Sequence, residues 1–139
     1  MYSRIVVGND GSEGAARAVS VAIGLAKTHG AELHMICVEE LPQFPASIDE
    51  VVEERSDANH RYASVLARAK ALAAAQGVQL AAHVTPGHAV KTIVEFVERE
   101  RADLLVIGYM GHSALYNRVI GSTTDRLVEL APCAVLVVK

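Results

Sequence analysis

Gly108-Tyr109-Met110-Gly111, nine further residues, and then Gly121-Ser122-Thr123-Thr124 form the stretch of this chain best suited to hold an anion. Leu104-Leu105-Val106-Ile107 lead into it as an apolar strand pattern, and a helical pattern follows. Glycine lets backbone N–H groups approach an anion with no Cβ in the way. A helix N-terminus adds unpaired donors and partial positive charge. Ser122, Thr123 and Thr124 bring hydroxyls to that helix start, where Ser122 and Thr124 would also serve as capping residues. Taken singly, the glycines read as a strand end, a turn and the residue before a cap. A chance match to the whole spacing is roughly half a per cent at ordinary glycine usage, so a phosphate cradle is the preferred joint reading.

Asn9-Asp10 follow another apolar strand pattern, Ile5-Val6-Val7. Asp10 and Glu13 have the spacing of a capping box. The same carboxylate could instead accept from the ribose hydroxyls or the base amine of a nucleoside, and the residues alone leave both readings open. His29, His34, His60, His83, His88 and His112 show no metal spacing, and Cys37 and Cys133 form no C-x-x-C pair. Both cysteines fall in strand patterns and read as small core hydrophobes. No metal site is expected.

Fast phosphoryl transfer needs a cation clamp, a metal-holding carboxylate and a group that orients the nucleophile. The glycine loop has no Gly-Lys-Ser/Thr, so it is not a Walker A loop, and Asp10 is the one obvious carboxylate aimed at it. No catalytic residue is therefore assigned, and any hydrolysis is expected to be slow. A phosphoacceptor receiver domain would need an acidic residue ending its third strand, where this chain has Val84-Thr85.

The 139 residues suit one domain, residues 1–139, with a core of Ala, Val, Leu and Ile, since Trp is absent and Phe and Tyr total six. A net charge of −3 with scattered Lys and Arg excludes a broad basic face, so no nucleic-acid partner is expected. No apolar run approaches the ~20 residues that span a bilayer, and no signal peptide pattern opens the sequence. A cytoplasmic protein without a membrane partner is the expectation.

Strand and helix patterns alternate. Ile5–Val7 leads to a helix over Ser12–His29 stopped by Gly30; Leu33–Val38 is the second strand. A proline loop, Leu41–Ser47, precedes a helix over Asp49–Gln76 with a buried stripe of Tyr62, Val65, Leu66, Ala69, Leu72 and Ala73. Val78–Val84 is the third strand. The next helix buries Val90, Ile93, Val94 and Val97, and Leu104–Ile107 is the fourth strand. A last helix from Ser122 buries Leu127 and Val128 before Pro132, and Ala134–Val138 is the fifth strand. Five strands separated by helices predict an α/β domain: an open parallel sheet, Rossmann-like, with helices on both faces. Glu39-Glu40, Glu50 and Glu53-Glu54 read as a solvated rim around the proline loop.

The spacing Gly108-x2-Gly111-x9-Gly121-Ser122, the ending Pro132-Cys133-Ala134-Val135-Leu136-Val137-Val138-Lys139 and the opening Ile5-Val6-Val7-Gly8-Asn9-Asp10-Gly11-Ser12 together resemble the ATP-binding branch of the universal stress protein family. The resemblance implies strand order 3-2-1-4-5. It also implies an ATP or other adenine-nucleotide site built from Asn9, Asp10, Val38, Gly108, Met110, Gly111, Gly121, Ser122, Thr123 and Thr124. Val38 would offer its backbone to the adenine edge, and Mg²⁺ would be held through the phosphates. Many relatives place a small polar residue and then Arg or His where Tyr109 and Met110 stand. Met110 cannot donate to a phosphate, and His112 or Arg118 would have to supply positive charge. The resemblance implies a regulatory, nucleotide-binding stress-response protein, a homodimer through Ala134–Val138, and an unidentified protein partner. The alternative is a dimeric partner-binding scaffold with a vestigial pocket.

Overall fold

The computed structural model describes residues 1–40, 48–109 and 120–139, with the backbone alone for residues 48–61. Strands and helices alternate along the chain: β1 Arg4–Gly8, α1 Glu13–His29, β2 Glu32–Glu39, α2 Ile48–Ala75, β3 Leu80–Pro86, α3 Ala89–Glu100, β4 Leu104–Gly108, α4 Ser122–Leu130 and β5 Ala134–Val138. The five strands are parallel and ordered β3-β2-β1-β4-β5, as the resemblance implied.

β1 lies at the centre, and Ile5, Val6 and Val7 are each 0% exposed. A central strand covered on both faces needs no polar residue, so its pattern is a continuous apolar run. On one face Ile5, Val7, Leu33, Met35, Cys37 and Val106 pack against α1 and α2. On the other, Val6, Ile36, Leu105 and Ile107 meet Ile93, Phe96 and Val97 of α3 and Leu127 of α4. Each large aliphatic side chain so buried contributes about 1.5–3 kcal/mol. The buried face of α1 is made of Gly14, Ala15, Ala18, Val19, Ala22, Ile23 and Ala26, mostly small residues that let its axis approach the sheet closely.

α1 begins on Ser12, whose Oγ accepts from the Ala15 amide at 3.2 Å. The capping box for which Asp10 and Glu13 have the spacing does not form, since Ser12 is the N-cap. Asp10 Oδ1 accepts from the Ser12 amide at 3.0 Å, closing a turn just ahead of the helix. Gly30 ends α1 in the left-handed region at φ 63°, its N–H bonded to the Ala26 carbonyl. Gly77, at φ 73°, closes α2 in a Schellman arrangement, with Gly77 N donating to Ala74 O and Val78 N to Ala73 O. That bond spends Val78 on the helix end. β3 accordingly starts at Leu80 rather than Val78 and runs on to Pro86, a residue an edge strand tolerates.

Three side chains depart from the expected faces. Leu72 and Val128 are 44% and 49% exposed, whereas Phe96, absent from the expected stripe of α3, is 1% exposed. α4 lies over one side of the sheet, so its buried stripe narrows to Thr124 and Leu127. Glu39 is also buried rather than part of a solvated rim. The side chains of Glu50, Glu53, Glu54 and His60, and the loop 41–47, lie outside the described residues. Cys37 is fully buried, and burial, reinforced by the Asp10 charge, pushes its thiol up to about 12. Cys133 precedes β5 instead of lying within it. Among the described residues no helix is long and apolar enough to cross a membrane.

The strand N-termini are tied by Asp103, whose two carboxylate oxygens accept from the Ser3 and Arg4 amides at 2.8 and 2.9 Å. Desolvation raises this carboxyl, but those amides outweigh it and hold it below its ordinary value.

Candidate functional site

A cavity of about 420 Å³ opens beyond the C-terminal ends of β1, β2 and β4, a volume typical of small-molecule sites. Reversal of strand order beside β1 creates such a crevice, because the connections from β1 and β4 leave toward opposite faces. Asn9, Asp10, Val38, Gly108, Gly121, Ser122, Thr123 and Thr124 all line it, so the two distant motifs meet there. Met110 and Gly111 lie outside the described residues, as do His112 and Arg118.

The β1 side is a braced turn. Asn9 is buried; its Oδ1 accepts from the Gly11 amide at 2.9 Å and its Nδ2 reaches Met35 Sδ at 3.4 Å. Both ends of that carboxamide are thereby committed to holding the turn. Asp10 stands exposed at the cavity edge, with Oδ1 on the Ser12 amide.

The β2 side offers backbone. β1 ends its pairing at Gly8↔Ile36, and the Asn9 amide donates to the Ile36 carbonyl at 3.0 Å. Alternate residues of a parallel strand aim both backbone groups at the same neighbour. Ile36 faces β1, so Val38, two residues on, aims its N–H and C=O the same way, past the end of β1 and into the crevice. The Tyr62 hydroxyl donates to that Val38 carbonyl at 3.0 Å.

The β4 and α4 side offers amides. Gly121, extended at φ −63°, ψ 147°, is the N-cap of α4 and supplies no side-chain cap. The first turn of the helix, Ser122-Thr123-Thr124, therefore faces the cavity with the amides that precede the first i→i−4 bond, Asp125 N to Gly121 O. Thr124 is buried, and its hydroxyl donates to the Gly108 carbonyl at 2.7 Å. The hydroxyl hydrogen is thus spent on bracing β4 against α4, and the part of Thr124 in holding an anion falls to its amide. Gly108 has a packing reason too: a Cβ there would sit 3.0 Å from the Gly14 backbone carbon at the start of α1. Tyr109 does not line the cavity. Its amide bonds to the Val138 carbonyl at 2.9 Å, and Lys139 Nζ lies 5.2 Å from its ring centre.

Tyr62 and Glu40 also line the cavity, where the sequence suggested a core stripe and a solvated rim. For Tyr62 the available signal was a hydroxyl in an otherwise apolar helix face, since a buried Tyr O–H needs a partner. Among the described residues no group of three or more His, Cys, Asp or Glu is placed to hold a metal ion. The arrangement offers a backbone donor–acceptor pair at one end, a helix N-terminus at the other and a carboxylate between them. Those groups complement a base, an anionic phosphate and the hydroxyls of a sugar.

The model of the universal stress protein family matches residues 1–139. A universal stress protein of Methanocaldococcus jannaschii is 33% identical over 147 residues, covering 100% of this chain and 83% of its own. One from Bacillus subtilis is 29% identical over 148 residues, covering 100% of both chains. The solved universal stress protein UspA from Lactobacillus plantarum has a TM-score of 0.88 at 27% identity, covering 99% of this chain and 98% of its own. A universal stress protein solved in complex with cAMP has a TM-score of 0.76 at 26% identity, covering 99% and 97%. By its full-length match, its strand order and its convergent glycine and carboxylate turns, the chain belongs to the universal stress protein family.

Proposed function

We propose that this protein binds an adenine nucleotide in the crevice beyond β1 and β4 and acts as a regulatory stress-response protein in the cytoplasm. The observation that carries the reading is the convergence of Val38, Asp10 and the uncapped first turn of α4 on one cavity of about 420 Å³. Binding of cAMP by a relative of 26% identity and similar fold supports an adenylate as the ligand. Val38 would take the base edge, Asp10 the ribose hydroxyls, and the amides of Ser122, Thr123 and Thr124 the phosphate, with Gly108 and Gly121 keeping the approach open. Met110 and Gly111 belong to the same proposed loop. ATP is accommodated in this reading with Mg²⁺ held by its phosphates. The protein signals by occupancy, to a protein partner, and turns ATP over below about 1 s⁻¹, the low end for kinases.

The test is direct. Freshly purified protein is denatured and its supernatant assayed for adenine nucleotides, and the ligand-free chain is then melted with AMP, cAMP, ADP and ATP. A ligand at a hundredfold excess over Kd stabilises by about 2.7 kcal/mol, which moves the melting temperature by several degrees. An empty supernatant together with no shift for any of the four would reject the reading in favour of a scaffold with a vestigial pocket.

A further inference from the structure

Tyr62, on α2, is 3% exposed and belongs to the core cluster that α1 and α2 form with the sheet, yet it also lines the cavity. That hydroxyl donates to the Val38 carbonyl at 3.0 Å. The carbonyl is one half of the donor–acceptor pair that β2 turns toward the crevice once β1 has ended. A 6-aminopurine presents the complement, an exocyclic amine that donates beside a ring nitrogen that accepts. Its amine must therefore use the oxygen already serving Tyr62. A carbonyl has two lone pairs, but two donors divide the field of one oxygen. The ring of Tyr62 is held by its packing, so its hydroxyl oxygen stays beside that carbonyl when a base arrives.

We propose that Tyr62 sets the base selectivity of this site. Its hydroxyl competes with the amine of a 6-aminopurine for the Val38 carbonyl and so lowers the preference for 6-amino over 6-oxo purine nucleotides. The inference rests on the nucleotide reading above. A 6-oxo base donates nothing at that position and gains nothing when the hydroxyl is removed. A 6-amino base gains the undivided acceptor.

The experiment is calorimetric binding of AMP and IMP to the full chain and to Tyr62→Phe, which keeps the ring and removes only the hydroxyl. The expected result is AMP binding about three- to tenfold tighter in the variant, the span of one net hydrogen bond. IMP binding does not tighten, so the AMP-to-IMP ratio widens by the same factor. A purely structural loss would move both ligands together and leave the ratio unchanged. AMP binding that is unchanged or weaker in Tyr62→Phe, with an unfolding transition like the parent's, overturns the proposal. If neither protein binds either nucleotide, the nucleotide reading itself has failed and this inference goes with it. That outcome is distinct from two equal, measurable affinities.

Discussion

Thr124 shows how one hydroxyl ties the floor of the site to its scaffold. Its Oγ–H bond to the Gly108 carbonyl joins the first turn of α4 to the end of β4. Thr124→Val keeps the shape and removes the donor, leaving a part-buried carbonyl short of a partner. The expected cost is about 1–3 kcal/mol, read as a lower melting temperature, with weaker AMP binding in calorimetry because the amides lose their register. Thr124→Ser restores both. Lost binding with unchanged stability would instead place the hydroxyl on the ligand. His83 stacks on His34 with its Nε2 3.3 Å from His34 Nδ1 and packs on Phe96. Burial first, then the charges of His34 and Arg99, against Glu100, lower its pKa below the ordinary 6.5. The folded state then favours the neutral ring. Its contribution is complete above pH 6.5 and is lost as pH falls through the lower folded value. Melting temperatures measured from pH 7.5 down to pH 5 should fall, and His83→Gln should flatten part of that slope; an unchanged slope contradicts the assignment. At this scale the sequence showed residue types but not partners. Gly108 was legible as a glycine required near an anion, yet its tightest neighbour is Gly14, far earlier in the chain. Tyr62 was legible as core, while the acceptor of its hydroxyl depended on where β1 stops.

Helices and strands were legible to within a few residues because period and punctuation agree: apolar runs for buried strands, Gly30 and Gly77 for helix ends. The misses are where an element's end is settled by a bond the pattern does not contain. Ser12 caps α1 because Asp10 is taken by a preceding turn, and Val78 belongs to the close of α2 rather than to β3. Val128 is exposed because α4 covers only one side of the sheet. β5 is the element whose surroundings bear on assembly. It is an edge strand, and Leu136 on it and Leu130 and Val128 on the adjacent α4 remain 37%, 44% and 49% exposed. An apolar edge strand is a template for pairing with another chain, so we propose a homodimer through Ala134–Val138. The Tyr109 amide bonds to the Val138 carbonyl, so Val138 faces β4 and Val137 aims its own N–H at the open edge. Val137→Pro should therefore abolish strand pairing between copies while leaving the β4 ladder intact. Sedimentation should show twice 14.8 kDa for the parent and 14.8 kDa for the variant. A parent that sediments as a monomer at micromolar concentration would contradict the dimer.

For the whole molecule, the sequence carried the class of the fold through its alternation of strands and helices, whereas the order of strands came from resemblance to a family. Order is what makes the site. With β4 beside β1, the turn after Gly8 and the first turn of α4 meet at one crevice, and neither alone could enclose a ligand. β2 and α2 contribute Val38 and Tyr62, whose roles follow from β2 outrunning β1. Ligand binding should thus register at sequence-distant amides together. Titration of the isotopically labelled full chain with AMP, followed by its backbone amide resonances, tests this most directly. The amides of Asp10, Val38, Ser122 and Thr123 should shift in concert, on one saturation curve. Those four staying still while AMP perturbs some other surface, or shifting with separate midpoints, would contradict it.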